Sequence, residues 1–207
     1  TLLAAFWGTL YMGGIPSIFP FLTEKLDPVL YMQRVRELVE NSNARIVITS
    51  PEFYDAMQSL LDGVDCLVID ADQVKESAVS NRDEWHPAKI HDDKTAFLQH
   101  SSGTTGLQKG VALSHRAVLN QIRAYSKAIQ LNAEDVIVSW LPLYHDMGLI
   151  AGFVMPIVTG TPVVLISPFE WVRKPQMLLQ AIHEHRGTLS WLPNFAFNHM
   201  ARTVRPR

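Results

Sequence analysis

Residues 100–110 read HSSGTTGLQKG, placing two serines, two threonines, three glycines and a lysine in one short stretch. It follows an apolar run, TAFLQ, and precedes a second short strand, GVALS. Gly103, Gly106 and Gly110 allow the backbone to bend and to approach a ligand without a Cβ in the way. Successive amide N–H groups in such a bend form a concavity for anions. Ser101, Ser102, Thr104 and Thr105 each add a hydroxyl donor, and Lys109 a point charge. This set of residue types suits phosphate. The same composition also suits a plain turn between two strands, and the loop alone does not choose between them. Two familiar phosphate motifs are excluded by spacing. Lys109 stands between Gln108 and Gly110, which breaks G-x-x-x-x-G-K-[ST], and no G-x-G-x-x-G occurs.

A second histidine-bearing stretch, His183-Glu184-His185, lacks the H-E-x-x-H spacing of a zinc helix. On a helix, positions i and i+2 point to different sides. It reads as a solvated helix end, where cationic histidine suits the dipole.

The elements that must position these residues alternate. The predicted strands are residues 44–49 (ARIVIT), 66–70 (CLVID), 95–99 (TAFLQ), 136–140 (VIVSW), 162–166 (PVVLI) and 188–192 (TLSWL). Each is nearly continuous in apolar character, which suits parallel strands buried on both faces. Asp27-Pro28 reads as an N-cap followed by proline at the first helical position, opening a helix to about Glu40. Ser114 can cap a helix whose apolar positions Val118, Ile122, Tyr125 and Ile129 recur at helical spacing. Pro175 and Gly187 bracket another, the proline inside the start and the glycine past the end. Strand–helix alternation predicts an α/β fold with a mostly parallel β-sheet flanked by helices. The polar residues 71–94 read as a surface excursion.

Composition narrows the class. Of 207 residues, 47% are apolar and 18% charged, against a usual charged share of about 25%, which implies much buried surface. The net charge of −2 gives no electrostatic reason to expect nucleic acid. Cys66 is the single cysteine and has no internal partner, which suits a reducing, cytoplasmic setting. The first 22 residues carry no charge, but Gly13-Gly14, Pro16 and Pro20 interrupt them. About a dozen helical residues remain where roughly 20 are needed to span a bilayer, so a buried helix is expected and no transmembrane segment. The start without Met and the end at TVRPR suggest a fragment of a longer polypeptide.

Residues 100–110 resemble the phosphate-loop signature of adenylate-forming (AMP-binding) enzymes, [YF]-T-S-G-[ST]-T-G-x-P-K-G. His100 replaces the aromatic, Ser101 the first threonine and Gln108 the proline; Gly103, Thr104, Thr105, Gly106, Lys109 and Gly110 match. The likeness continues in LLAAFWGTLYMGGIPSIFPF, NSNARIVITS, LSHRAVLNQI and SWLPLYHDMGLI. The wording LYHDMGL, with SPFEWVRKPQMLLQAI and WLPNFAF, is most similar to fatty acyl-AMP ligases and long-chain acyl-CoA synthetases. It covers the whole chain but only the front part of the family's large N-terminal domain. Residues 1–207 are therefore expected to be a partial adenylation domain, and inactive alone.

The resemblance implies ATP-dependent conversion of a fatty or other carboxylic acid to an acyl adenylate, with release of pyrophosphate. Transfer to coenzyme A or to the phosphopantetheine of an acyl carrier protein would follow. Ser101, Ser102, Gly103, Thr104, Thr105, Gly106 and Lys109 would grip the phosphates of ATP, with Mg2+ held by a glutamate outside the chain. His145 falls near the substrate carboxylate, where it would hydrogen-bond that group or gate the entrance of the acyl tunnel. Asp146 either orients His145 or caps the next turn. Met147, Gly148, Trp191, Pro193, Asn194 and Phe195 are candidates for the acyl-pocket wall, or for simple core packing. Two other readings stay open, a degenerate module that binds acyl chains or nucleotide without catalysis, and adenylation of an amino or aryl acid.

Overall fold

The computed structural model describes residues 1–20, 27–76, 86–100 and 110–204. These fall into two compact units, Thr1–Leu113 and Ser114–Arg207, each taken by itself below. Positions 101–109, which include the predicted phosphate-gripping residues, lie outside the described residues.

In the first unit, α1 (Leu2–Tyr11) is short and apolar. The expectation of a buried helix is corrected: Phe6 alone of α1 is buried, its ring meeting Phe97 with centroids 5.7 Å apart, while Leu2, Leu3 and Tyr11 are exposed. Gly13 ends this segment with φ of 81°, a backbone conformation that glycine adopts without steric penalty. A Cβ there would also stand 2.9 Å from the Ala88 side chain. Among the described residues, no helix is long and apolar enough to cross a membrane.

Helix α2 (Pro28–Ser42) starts as its sequence predicts. The Asp27 carboxylate accepts from the amides of Val29 and Leu30, satisfying two donors that the helix cannot pair internally. Strand β1 (Ile46–Thr49), α3 (Pro51–Leu60) and β2 (Leu67–Asp70) form a βαβ unit with β1 and β2 parallel, Val47 opposite Val68. The core beneath it joins Val35 and Val39 of α2 to Met57, Leu61 and Val68. Here the expectation of strands covered on both faces is corrected. Ile46, Ile48 and Leu67 are exposed, because α2 and α3 supply the packing on the opposite face of the pair. Helix α4 (Ala71–Glu76) opens the polar excursion. Strands β3 (Thr95–His100) and β4 (Gly110–Ser114) then pair with each other.

In the second unit, Ser114 accepts from the Ala117 amide to cap α5 (His115–Ala128), whose Val118 and Ile122 are buried. Strand β5 (Ile137–Ser139) is enclosed at every residue. It is followed by a π-helix (Met147–Val154), α6 (Met155–Thr159) and the parallel strand β6 (Val163–Leu165). Helices α7 (Pro168–Arg173), α8 (Gln176–His185) and α9 (Asn194–Thr203) complete the unit.

Two expectations change here. The strand expected at 188–192 is reduced to one parallel bridge, Leu189 to Ile137. The amides of Thr188 and Leu189 converge on the same Val136 carbonyl, so the ladder does not advance residue by residue. At the end of α8, Arg186 and not Gly187 takes the left-handed conformation, with φ of 54°. Gly187 is needed for proximity, since a Cβ there would meet Val138 Cγ2 at 2.5 Å. The described strands thus form parallel pairs β1–β2 and β5–β6 together with the pair β3–β4, within an α/β architecture.

Candidate active site

The segment from Ser139 to Met155 carries the predicted substrate residues, and glycine fixes its geometry. Gly148 and Gly152 lie four residues apart in the π-helix and face the chain that leaves β5. A Cβ on Gly148 would stand 2.2 Å from the Pro142 carbonyl oxygen and 3.0 Å from that of Leu141. A Cβ on Gly152 would stand 2.6 Å from Ser139 Oγ. Ser139 is itself buried, and its Oγ accepts from the Leu141 amide at 3.3 Å. The helix therefore lies directly on backbone at Gly148 and on the Ser139 side chain at Gly152. Its wide turn is visible at the end, where the Met155 amide donates to Ile150, five residues back. Such π-turns are rare and often accompany functional sites.

This anchoring presents His145, Asp146 and Met147 on the exposed lip where the π-helix begins. The His145 amide donates to the Pro142 carbonyl at 3.1 Å, and its own carbonyl accepts from Leu149 at 2.8 Å. Its ring leans on Tyr144, centroids 4.6 Å apart. Of the two roles open to Asp146, the geometry displays capping, as Oδ1 accepts from the Met147 amide at 2.7 Å. Met147 is 46% exposed, while Gly148 is buried.

The remaining predicted wall residues lie before and at the start of α9. Pro193 precedes α9, and Asn194 and Phe195 open that helix. Phe195 is 56% exposed, yet its ring meets Trp140 and Trp171 edge-on, centroids 6.1 and 6.3 Å away. Those two indoles are buried and stacked, 3.6 Å apart at 11°. Neither indole N–H has a hydrogen-bond partner. Trp191 instead donates its N–H to the Tyr125 hydroxyl. The lip at 145–147 exposes an imidazole and the Met147 side chain, and the start of α9 exposes the Phe195 ring.

Sequence reasoning did not anticipate the Trp140–Trp171 stack or the π-helix. The spacing Gly148-x-x-x-Gly152 is the signal that marks the close approach. It also did not anticipate the burial of His100. That side chain is 7% exposed with both ring nitrogens unpartnered, and burial pushes its pKa down. His183 and His185 lie exposed in the last turn of α8.

Comparison with known proteins sets this geometry in context. A medium-chain-fatty-acid–[acyl-carrier-protein] ligase, JamA, of Moorena producens is 28% identical over 210 residues, covering 97% of this chain and 34% of the relative. A probable long-chain-fatty-acid–AMP ligase, FadD30, of Mycobacterium tuberculosis is 41% identical over 114 residues, covering 51% of this chain and 19% of the relative. The crystal structure of a fatty acyl-adenylate ligase from L. pneumophila, in complex with acyl adenylate and pyrophosphate, superposes with a TM-score of 0.83. That match is 31% identical over 99% of this chain and 34% of the ligase. The chain thus spans about a third of the length of relatives that it matches nearly throughout. The family description "AMP-binding enzyme" fits residues 2–207, and the chain belongs to that family.

Proposed function

We propose that the protein carrying this chain activates a fatty acid with ATP, forming an acyl adenylate and releasing pyrophosphate. The acyl group then passes to a thiol, the phosphopantetheine of an acyl carrier protein or coenzyme A. The observation that weighs most is the glycine-anchored lip, which exposes both His145 and Met147. In this reading the His145 imidazole donates a hydrogen bond to the acid's carboxylate. Met147, Gly148, Asn194 and Phe195 border the tail, and Asp146 holds the turn that carries the imidazole.

The chemical difficulty is that a carboxylate must attack a polyanion. Oriented N–H donors and a lysine lower that barrier by offsetting charge where it develops. Ser101, Ser102, Gly103, Thr104, Thr105, Gly106 and Lys109 are assigned this task, which also keeps the leaving pyrophosphate in line. Mg2+ is part of the proposed reaction. Among the described residues, no group of three or more His, Cys, Asp or Glu side chains converges to hold it, and none is assigned as its ligand.

The test uses the whole protein with a panel of carboxylic acids, hydroxylamine to trap the adenylate, and each thiol acceptor in turn. Fatty acids should give hydroxamate, and Lys109→Ala should lower its rate by about 10²-fold or more, as for loss of a charge-stabilising donor. Trapping with amino or aryl acids alone would overturn the substrate class. A wild-type rate for Lys109→Ala would overturn the role given to the lysine.

A further inference from the structure

Strand β5 is enclosed at every residue, and its last, Ser139, puts a hydroxyl beside apolar Ile137 and Val138. A buried hydroxyl is costly unless it is bonded. Here Oγ accepts from the amide of Leu141 at 3.3 Å, where the chain bends away from the strand. The backbone of Ser139 is held at the same time, because its carbonyl accepts from the Ile166 amide at 2.8 Å. Trp140, the residue between Ser139 and Leu141, is buried and stacked on Trp171. The bend therefore leaves β5 from a fixed base.

The π-helix rests on that same base. A Cβ at Gly152 would stand 2.6 Å from Ser139 Oγ and 3.2 Å from Ser139 Cβ. A larger side chain at 139 would push this turn outward. Alanine would fit, but would leave the Leu141 amide without its acceptor. Serine meets both demands, a small volume and an acceptor within reach. Between the bend and the π-helix stands His145, whose amide donates to the Pro142 carbonyl at 3.1 Å. The lip is thus held from both sides by contacts that lead back to Ser139.

We propose that Ser139 is a positioning residue for the acid substrate. Its Oγ fixes the bend at Leu141 and the seat of Gly152, and through them the place of the His145 imidazole. Ser139 itself touches no reactant and acts through that ring. The inference rests on the adenylation reading above, in which the imidazole meets the carboxylate.

The experiment follows hydroxamate formation by the whole protein for wild type, Ser139→Ala, His145→Ala and the double variant. Loss of the bond to Leu141 and of the seat at Gly152 predicts a kcat/KM for fatty acid about tenfold lower in Ser139→Ala. The KM for ATP should stay within about twofold, because the displaced group meets the acid. In the His145→Ala background the same substitution should change kcat/KM by less than about twofold, since the ring it acts through is already gone. A wild-type kcat/KM in Ser139→Ala overturns the proposal. So does a loss of equal size with and without His145, which marks a structural effect independent of the imidazole. A KM for ATP that rises as far as the KM for the acid overturns it too. Should Ser139→Ala not fold, Ser139→Cys enters the same cycle. Its thiol accepts a hydrogen bond only weakly, so losses in the same direction are expected and the same outcomes decide. If wild type traps no fatty acyl hydroxamate, or His145→Ala matches wild type, the underlying reading fails and the proposal falls with it.

Discussion

Strands β1 and β5 are near twins in composition and opposites in surroundings. The sequences Ile46-Val47-Ile48-Thr49 and Ile137-Val138-Ser139 are both apolar and β-branched. Yet Ile46 is 56% exposed and Ile137 is 0% exposed. The first strand pairs with β2, and its inward face meets the cluster built on α2 and α3. The second has β6 along one edge and the Leu189 bridge along the other. Val138 meets Trp171 and Leu178, and the π-helix lies on Ser139. An apolar run therefore states that a strand tolerates burial. It does not state how many of its sides are covered.

The contrast is most sharply tested at Gly148, where the enclosed region has no room to adjust. Replacing a helical glycine by alanine ordinarily stabilises by about 1 kcal/mol. Here the new methyl would stand 2.2 Å from a backbone oxygen, so Gly148→Ala should destabilise the protein by about 3 kcal/mol or more. A urea melt reads the difference, and a variant as stable as wild type would show that the lip can move away from Pro142. Next comes the direct pair. Ile137→Ala should cost about 2–5 kcal/mol, as a buried truncation, while Ile46→Ala should stay within about 1 kcal/mol. Equal losses would mean that the outer face of β1 is covered in the whole protein.

The smallest effect concerns His100, the enclosed polar residue at the end of β3. Burial lowers its pKa from the ordinary 6.5. Between the folded value and pH 6.5, the unfolded chain binds a proton that the folded chain does not. The contribution is therefore complete above pH 6.5 and declines as pH falls through the folded value. Urea midpoints measured across this range should fall less steeply in His100→Phe. Identical slopes would mean that the ring charges without penalty.

Local chemistry was legible wherever it was self-contained. The Asp27-Pro28 start and the Ser114 cap appear at their predicted places, since a cap bonds amides two or three residues away. Six of the seven expected strands appear, with shifted ends. The seventh, at 188–192, depended on how much of β5's free edge it could reach. Gly187 lies past the end of α8 as expected, but its close approach to Val138 was not foreseen. Its neighbour Val138 is far away in sequence, and only packing reveals that contact.

The same division runs through the candidate site. Residue types and spacing alone carried the family likeness and the identity of the lip residues. Tertiary structure decided that Asp146 caps, that His145 and Met147 face solvent, and that His100 is enclosed with empty-handed nitrogens. The reason is physical. Hydrogen bonds along a turn join near neighbours in the chain, whereas burial is set by whatever distant segment covers a residue.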